Sequence, residues 1–165
     1  MALTWTNPRT WVAGEKPSAA TMNTHIRDQF KAIGDARTSW TPTLTGMTIG
    51  NGTFNSKYTL AGKDFTARIN FTFGSTSAVS SSIIISLPIT LHADYGLMDC
   101  LGAATLYDVS AAANGRWAGT CAVNSSTEVF LIVDSDITAQ TVNGTNPFTW
   151  ATGDRFSMEI RAETA

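Results

Sequence analysis

Between Asp64 and Phe73 every second side chain is apolar: Phe65, Ala67, Ile69, Phe71 and Phe73 alternate with Asp64, Thr66, Arg68, Asn70 and Thr72. Only an extended chain puts all five apolar groups on one side, because a helix would scatter them around its circumference. The segment therefore reads as a half-buried antiparallel strand that needs a second layer to cover it. Val79, Ile83, Ile85 and Leu87 repeat the pattern, with Ser80, Ser82 and Ser86 opposite and Pro88 ending it. Trp117, Gly119, Cys121 and Val123 share a face, as do Phe156, Met158 and Ile160. Turn residues punctuate these runs. Asn51-Gly52 predicts a hairpin between Met47-Thr48-Ile49 and Thr53-Phe54, and Asn114-Gly115 predicts one before the Trp117 strand. Asn143-Gly144, Gly62-Lys63-Asp64 and Gly153-Asp154 mark further reversals. About eight strands over residues 40–165 with no helix between them predict an all-β fold, an antiparallel β-sandwich of jelly-roll-like form.

Two zones precede the sandwich. Residues 1–17 form an extended arm carrying Trp5, Trp11 and Val12 among Pro8, Gly14 and Pro17, with neither helical nor strand period. Two tryptophans on such a segment need burial, either against their own domain or on a neighbouring chain. The second is favoured, because Trp is an enriched anchor at interfaces. Residues 18–39 hold an amphipathic helix over about 19–33 and a linker. Ser18 is its N-cap and Gly34 its C-terminal stop. Met22, Ile26, Phe30 and Ile33 make an apolar stripe too short to stand alone in water. It packs either on the sandwich or on copies of itself. Val129-Phe130-Leu131-Ile132-Val133 is apolar on both faces, where a sandwich strand needs one. Phe130 and Ile132, with Ile84 of Ile83-Ile84-Ile85, are therefore expected at a subunit contact, and a homo-oligomer is favoured over a monomer.

Charge and chemistry exclude several functions. Eleven Lys and Arg against thirteen Asp and Glu give a net charge of −2, so no basic excess points to nucleic acid. Charged residues are only 15% of the chain, so the polar surface is mostly uncharged. No run of about 18 apolar residues predicts membrane insertion, and the N-terminus lacks a secretion-signal pattern, so synthesis is expected in the cytoplasm. Cys100 and Cys121 are expected as two buried free thiols. His25 reads as a helix-surface residue, and His92-x-Asp94 as loop polarity without a nucleophile motif. Asp134-Ser135-Asp136 lacks the ligands that calcium needs. No enzyme, metal or cofactor is expected. Tyr95 and Trp150, aromatics outside the strand core, are candidate glycan contacts.

The arm and helix resemble the N-terminal segment of many tailed-bacteriophage and prophage virion proteins. The elements that carry the likeness are Trp11-Val12-Ala13-Gly14-Glu15, Ser18-Ala19-Ala20-x-Met22-Asn23 and His25-Ile26-Arg27-Asp28. Trp40-Thr41-Pro42-Thr43-Leu44-Thr45-Gly46, Ser86-Leu87-Pro88 and Trp150-Ala151-x-Gly153-Asp154 look like the same group downstream. The resemblance implies a non-enzymatic virion surface protein made in the bacterial host: a homotrimer attached to capsid or tail proteins by its N-terminal segment. Its β domain would face outwards, as a tail-fibre-like, host-binding knob or as a head fibre or capsid decoration. The chain departs from long fibres in having no shaft, repeat or extended coiled coil. A free carbohydrate-binding module is the alternative reading.

Overall fold

The computed structural model describes residues 6–111, 115–135 and 138–165, with the side chains of 134, 135, 138 and 139 left aside. A short helical segment, Ala19–Gly34, leads into ten strands: β1 (Thr38–Ser39), β2 (Leu44–Thr48), β3 (Thr53–Ala61), β4 (Asp64–Thr72), β5 (Ala78–Ser86), β6 (Cys100–Tyr107), β7 (Arg116–Ser125), β8 (Glu128–Ser135), β9 (Thr138–Thr141) and β10 (Arg155–Glu163). All pairings are antiparallel. They form one continuous path, β1-β3-β4-β10-β6-β7-β8-β5-β2, with β9 beside β8. The all-β expectation holds. The linker after the helix supplies a strand of its own, since Thr38 and Ser39 pair with Tyr58 and Lys57.

The sheet curls because its inward side chains must meet. Phe65, Ile69 and Phe71 of β4, Phe156, Met158 and Ile160 of β10, Ile83 and Ile85 of β5, and Val129, Leu131 and Val133 of β8 belong to one buried cluster. Strands from both ends of the path therefore share a single core. Each fully buried Phe or Ile contributes about 1.5–3 kcal/mol by leaving water. The alternation over 64–73 appears as the strand β4 and the residue that follows it, with all five apolar side chains buried.

The Asn51-Gly52 turn does not close a hairpin. β2 pairs with β5 and β3 with β4, so this turn carries the chain from one end of the path to the other. Asn51 is instead engaged across space: its Oδ1 accepts from Thr76 N–H at 2.9 Å and its Nδ2 donates to Ser75 Oγ at 3.1 Å. Neighbouring runs in sequence pair only when nothing better competes, and here β5 offers β2 the apolar run Ile83-Ile84-Ile85. The turn at Gly62-Lys63, with Gly62 at φ 64°, does close the β3–β4 hairpin. So does the turn before Arg116, which pairs with Tyr107; Asn114 itself lies outside the described residues.

Candidate functional site

The N-terminal segment is built to display apolar groups. Trp5 lies outside the described residues. Farther along the arm, Glu15 N–H donates to Val12 C=O at 3.1 Å, closing a tight turn. Gly14 in that turn stands at φ 81°, a conformation glycine adopts without strain. The Arg9 guanidinium is held by Glu15 at 2.7 Å and lies 5.0 Å from the ring centroid of Trp11. One ring face of Trp11 thus meets a cation, while Trp11 and Val12 stay exposed, Val12 at 68%.

The helix begins at the expected cap, with Ser18 Oγ accepting from Thr21 N–H at 3.2 Å. It is not regular. Residues Asn23–Arg27 form a π turn between α1 (Ala19–Met22) and α2 (Asp28–Gly34), so the Asp28 N–H reaches Asn23 C=O. Gln29 takes up the slack: it is buried, donates Nε2 to Thr24 C=O at 2.9 Å and accepts from Thr6 N–H at 3.4 Å. One side chain therefore ties the arm to the helix. Gly34 is the last helical residue and has no left-handed φ. The stop comes one residue later, where Asp35 turns extended, donates its N–H to Lys31 C=O and pairs with Lys31 Nζ at 2.7 Å.

The face this helix turns inward is that of Gln29 and Ala32. The stripe stays exposed to different degrees: Phe30 at 73% and Ile33 at 60%, Met22 and Ile26 at 40% and 36%. The described residues thus leave Phe30 and Ile33 largely uncovered.

Other sequence-flagged residues sit elsewhere. Phe130 and Ile132 are on the outer face of β8, but they are 6% and 8% exposed and pack with Ala122 and the half-buried Ile84. The chain covers them by itself, so this second cluster requires no subunit contact. Trp150 is a plug at the end of the core. Its ring stacks on Phe73 at 4.5 Å and 17°, packs on Phe148 at 4.4 Å, and its Nε1 donates to Asn143 C=O at 2.9 Å. The residue is half-buried, with its ring engaged by two phenylalanines and its N–H already bonded. Tyr95 is half-buried, and its hydroxyl accepts from Glu163 N–H at 3.1 Å. It lines an open cleft of about 440 Å³ with Lys63, Asp64 and Arg161.

The two cysteines are unbridged, but only Cys121 is buried; Cys100, at the start of β6, is exposed because its side chain lies on the outer face. His92 Nδ1 accepts from Asp94 N–H at 3.4 Å, a turn contact. Asp136 lies outside the described residues, and among those described no three metal-ligating side chains gather. No described helix is long and apolar enough to cross a membrane.

One constellation has no signal in the sequence. Arg37, Lys57 and Arg68 meet on the outer face of β3, β4 and β10, beside Asn55, Asn70 and Glu159, around a cleft of about 390 Å³. The residues come from four separate segments, so no spacing rule finds them. Compared with protein families, characterised proteins and solved structures, the chain matches none.

Proposed function

We propose that this chain is a non-enzymatic surface protein of a tailed-phage particle: a homotrimeric knob, held by residues 1–33, with the curled sheet facing outwards. The observation that carries this reading is the N-terminal surface. Trp11, Val12, Met22, Ile26, Phe30 and Ile33 all fall within residues 11–33, and all are apolar and exposed. Exposed apolar side chains clustered in one segment mark an interaction site. A strap of this kind can dock between other subunits, while copies of the helix cover one another's stripes. The finer description of the β domain as a jelly-roll-like sandwich belongs with this proposal. In it, β3-β4-β10-β6 and β7-β8-β5-β2 are two leaves over the one core. Placement on a tail tip and on a capsid shell are two versions of the same mechanics. A free carbohydrate-binding module is the second reading, favoured by the open cleft beside Tyr95.

Two measurements test the proposal. Light scattering on purified chain is expected to give three times the 17.6 kDa chain mass. Deleting residues 1–17 is expected to abolish incorporation into particles while the β domain stays folded. A monomer whose truncated form still incorporates fully would overturn the anchoring role, and a monomer that binds neutral glycans through Tyr95 would favour the module.

A further inference from the structure

We infer that the cleft between Arg37, Lys57 and Arg68 is a binding site for an acidic oligosaccharide. This deepens the host-contacting half of the proposed function and is independent of the anchoring half.

The argument starts from an unfavourable pair. Lys57 and Arg68 are direct cross-strand partners on β3 and β4. Opposed residues on one face have Cβ atoms roughly 5 Å apart, and like charges there are destabilising. Arg37, two residues before the Ser39 that pairs with Lys57, lines the same cleft and adds a third cation. Relief is close at hand but is not taken. Glu159 is the partner of Arg68 on β10, yet the ion pairs among the described residues are Arg9–Glu15, Arg27–Asp28, Lys31–Asp35, His92–Asp94 and Arg161–Asp64. Three cations and one carboxylate thus face a shared space unpaired, in a chain whose net charge is −2. The neighbouring rows carry fewer charges: Asn55, Asn70 and Ser157 on one side, and Thr59, Thr66 and Arg161 on the other.

The rest of the lining selects the ligand class. Ser157 Oγ donates to Asn70 Oδ1 at 2.6 Å, which occupies the amide oxygen and leaves its NH₂ without a partner among the described residues. Asn55 makes no side-chain hydrogen bond among the described residues. Two amides can each bridge neighbouring hydroxyls. Glu159 repels a bare inorganic anion but accepts strongly from hydroxyl groups. An acid group on the three cations, with ring hydroxyls on the Asn pair and Glu159, satisfies every member. The volume of about 390 Å³ lies within the roughly 300–1,000 Å³ span of small-molecule sites.

The test uses the full chain in an NMR and calorimetric titration with tetragalacturonate and tetrasialic acid. Maltotetraose, inorganic phosphate and a short single-stranded DNA serve as comparators. At least one acidic tetrasaccharide is expected to saturate, with amide shifts centred on residues 55–57 and 68–70. Arg68→Gln is expected to weaken it at least tenfold, while Arg155→Gln, outside the cleft, leaves it unchanged. Lys57→Gln is expected to weaken binding and raise the melting temperature of the free chain, because a like-charge contact is removed. The inference is overturned if neither acid binds, if maltotetraose binds as well, or if phosphate or DNA binds more tightly. A Lys57→Gln chain that is less stable when free would also overturn it, since the cation would then be structural. Particle incorporation of Arg68→Gln, read in parallel, separates the two proposals: normal incorporation with no acid binding defeats this site alone.

Discussion

Asp154 is 1% exposed, and its side chain is a knot between loops. Its Oδ1 accepts from Val109 N–H at 3.0 Å and its Oδ2 from Ala151 N–H at 2.6 Å, while its backbone C=O accepts from Phe73 N–H at 2.8 Å. The carboxylate therefore joins the β6–β7 turn to the turn before β10. Removing it leaves two donors without acceptors, at about 1–3 kcal/mol each where water cannot reach. Asp154→Ala is expected to cost roughly 2–4 kcal/mol in a urea melt; a loss under about 0.5 kcal/mol would mean that solvent replaces both bonds. The cysteines differ in the same way that their strand faces differ. Cys100 is expected to react at once with a thiol reagent, as one equivalent per chain, and Cys121 only on unfolding. Burial, reinforced by Cys100, pushes the Cys121 thiol up to about 12 from an ordinary value of 9.0. Below pH 9 both folded and unfolded states keep that proton. Between pH 9 and about 12 the unfolded chain releases it and the folded chain does not, so stability falls as pH rises through that window. Cys121→Ala is expected to flatten this part of a stability-against-pH profile, relative to the parent chain.

At the scale of the element, the helix shows what a pattern can and cannot convey. The stripe Met22-Ile26-Phe30-Ile33 was legible because its spacing follows the helical period. Its direction was not, since periodicity says which residues share a face and nothing about what that face meets. The π turn at Asn23–Arg27 adds one residue to the helix and hands the inward side to Gln29 and Ala32. Because Phe30 and Ile33 are mostly uncovered by the described residues, charging them should leave the fold intact. Phe30→Glu with Ile33→Glu is expected to change unfolding free energy by less than about 0.5 kcal/mol per site, as for ordinary surface substitutions. The same variant is expected to run at a lower mass by light scattering. A large loss of stability with unchanged mass would place the stripe against the chain's own sheet. The apolar strand β8 taught the reverse lesson. Its two-faced sequence suggested a partner, but Phe130 and Ile132 pack with Ala122 and Ile84 on the flanking strands, and neighbours from other strands are invisible to a five-residue window.

Across the whole molecule, strands with a clear period were legible and the order in which they pair was not. β4 and β10 announce themselves by alternation, yet nothing in either run says that residues 64–72 and 155–163 pair over their full length. Partner choice depends on how every inward face fills one core, which is a property of the set. The same limit hid the Arg37-Lys57-Arg68 cleft, whose members become neighbours only through register. What the core does fix is its own independence from the arm and helix. The main buried cluster contains Met47 and later residues only, with Trp40 packed against its edge. Before Thr38 the described buried residues are Gln29 and Ala32. Ala32 has little area to bury, and Gln29 bonds within the N-terminal segment itself. A chain beginning at Thr38 should therefore keep its cooperative transition, with a free-energy loss of about 1 kcal/mol or less. For a domain of this size that is a shift in melting temperature of roughly 2–5 °C. Circular dichroism melts of the two chains side by side measure it. A fall well beyond that range, or a broadened transition, would mean that the leading segment completes the core, and an element needed to complete a core is not free to serve as a strap for another protein.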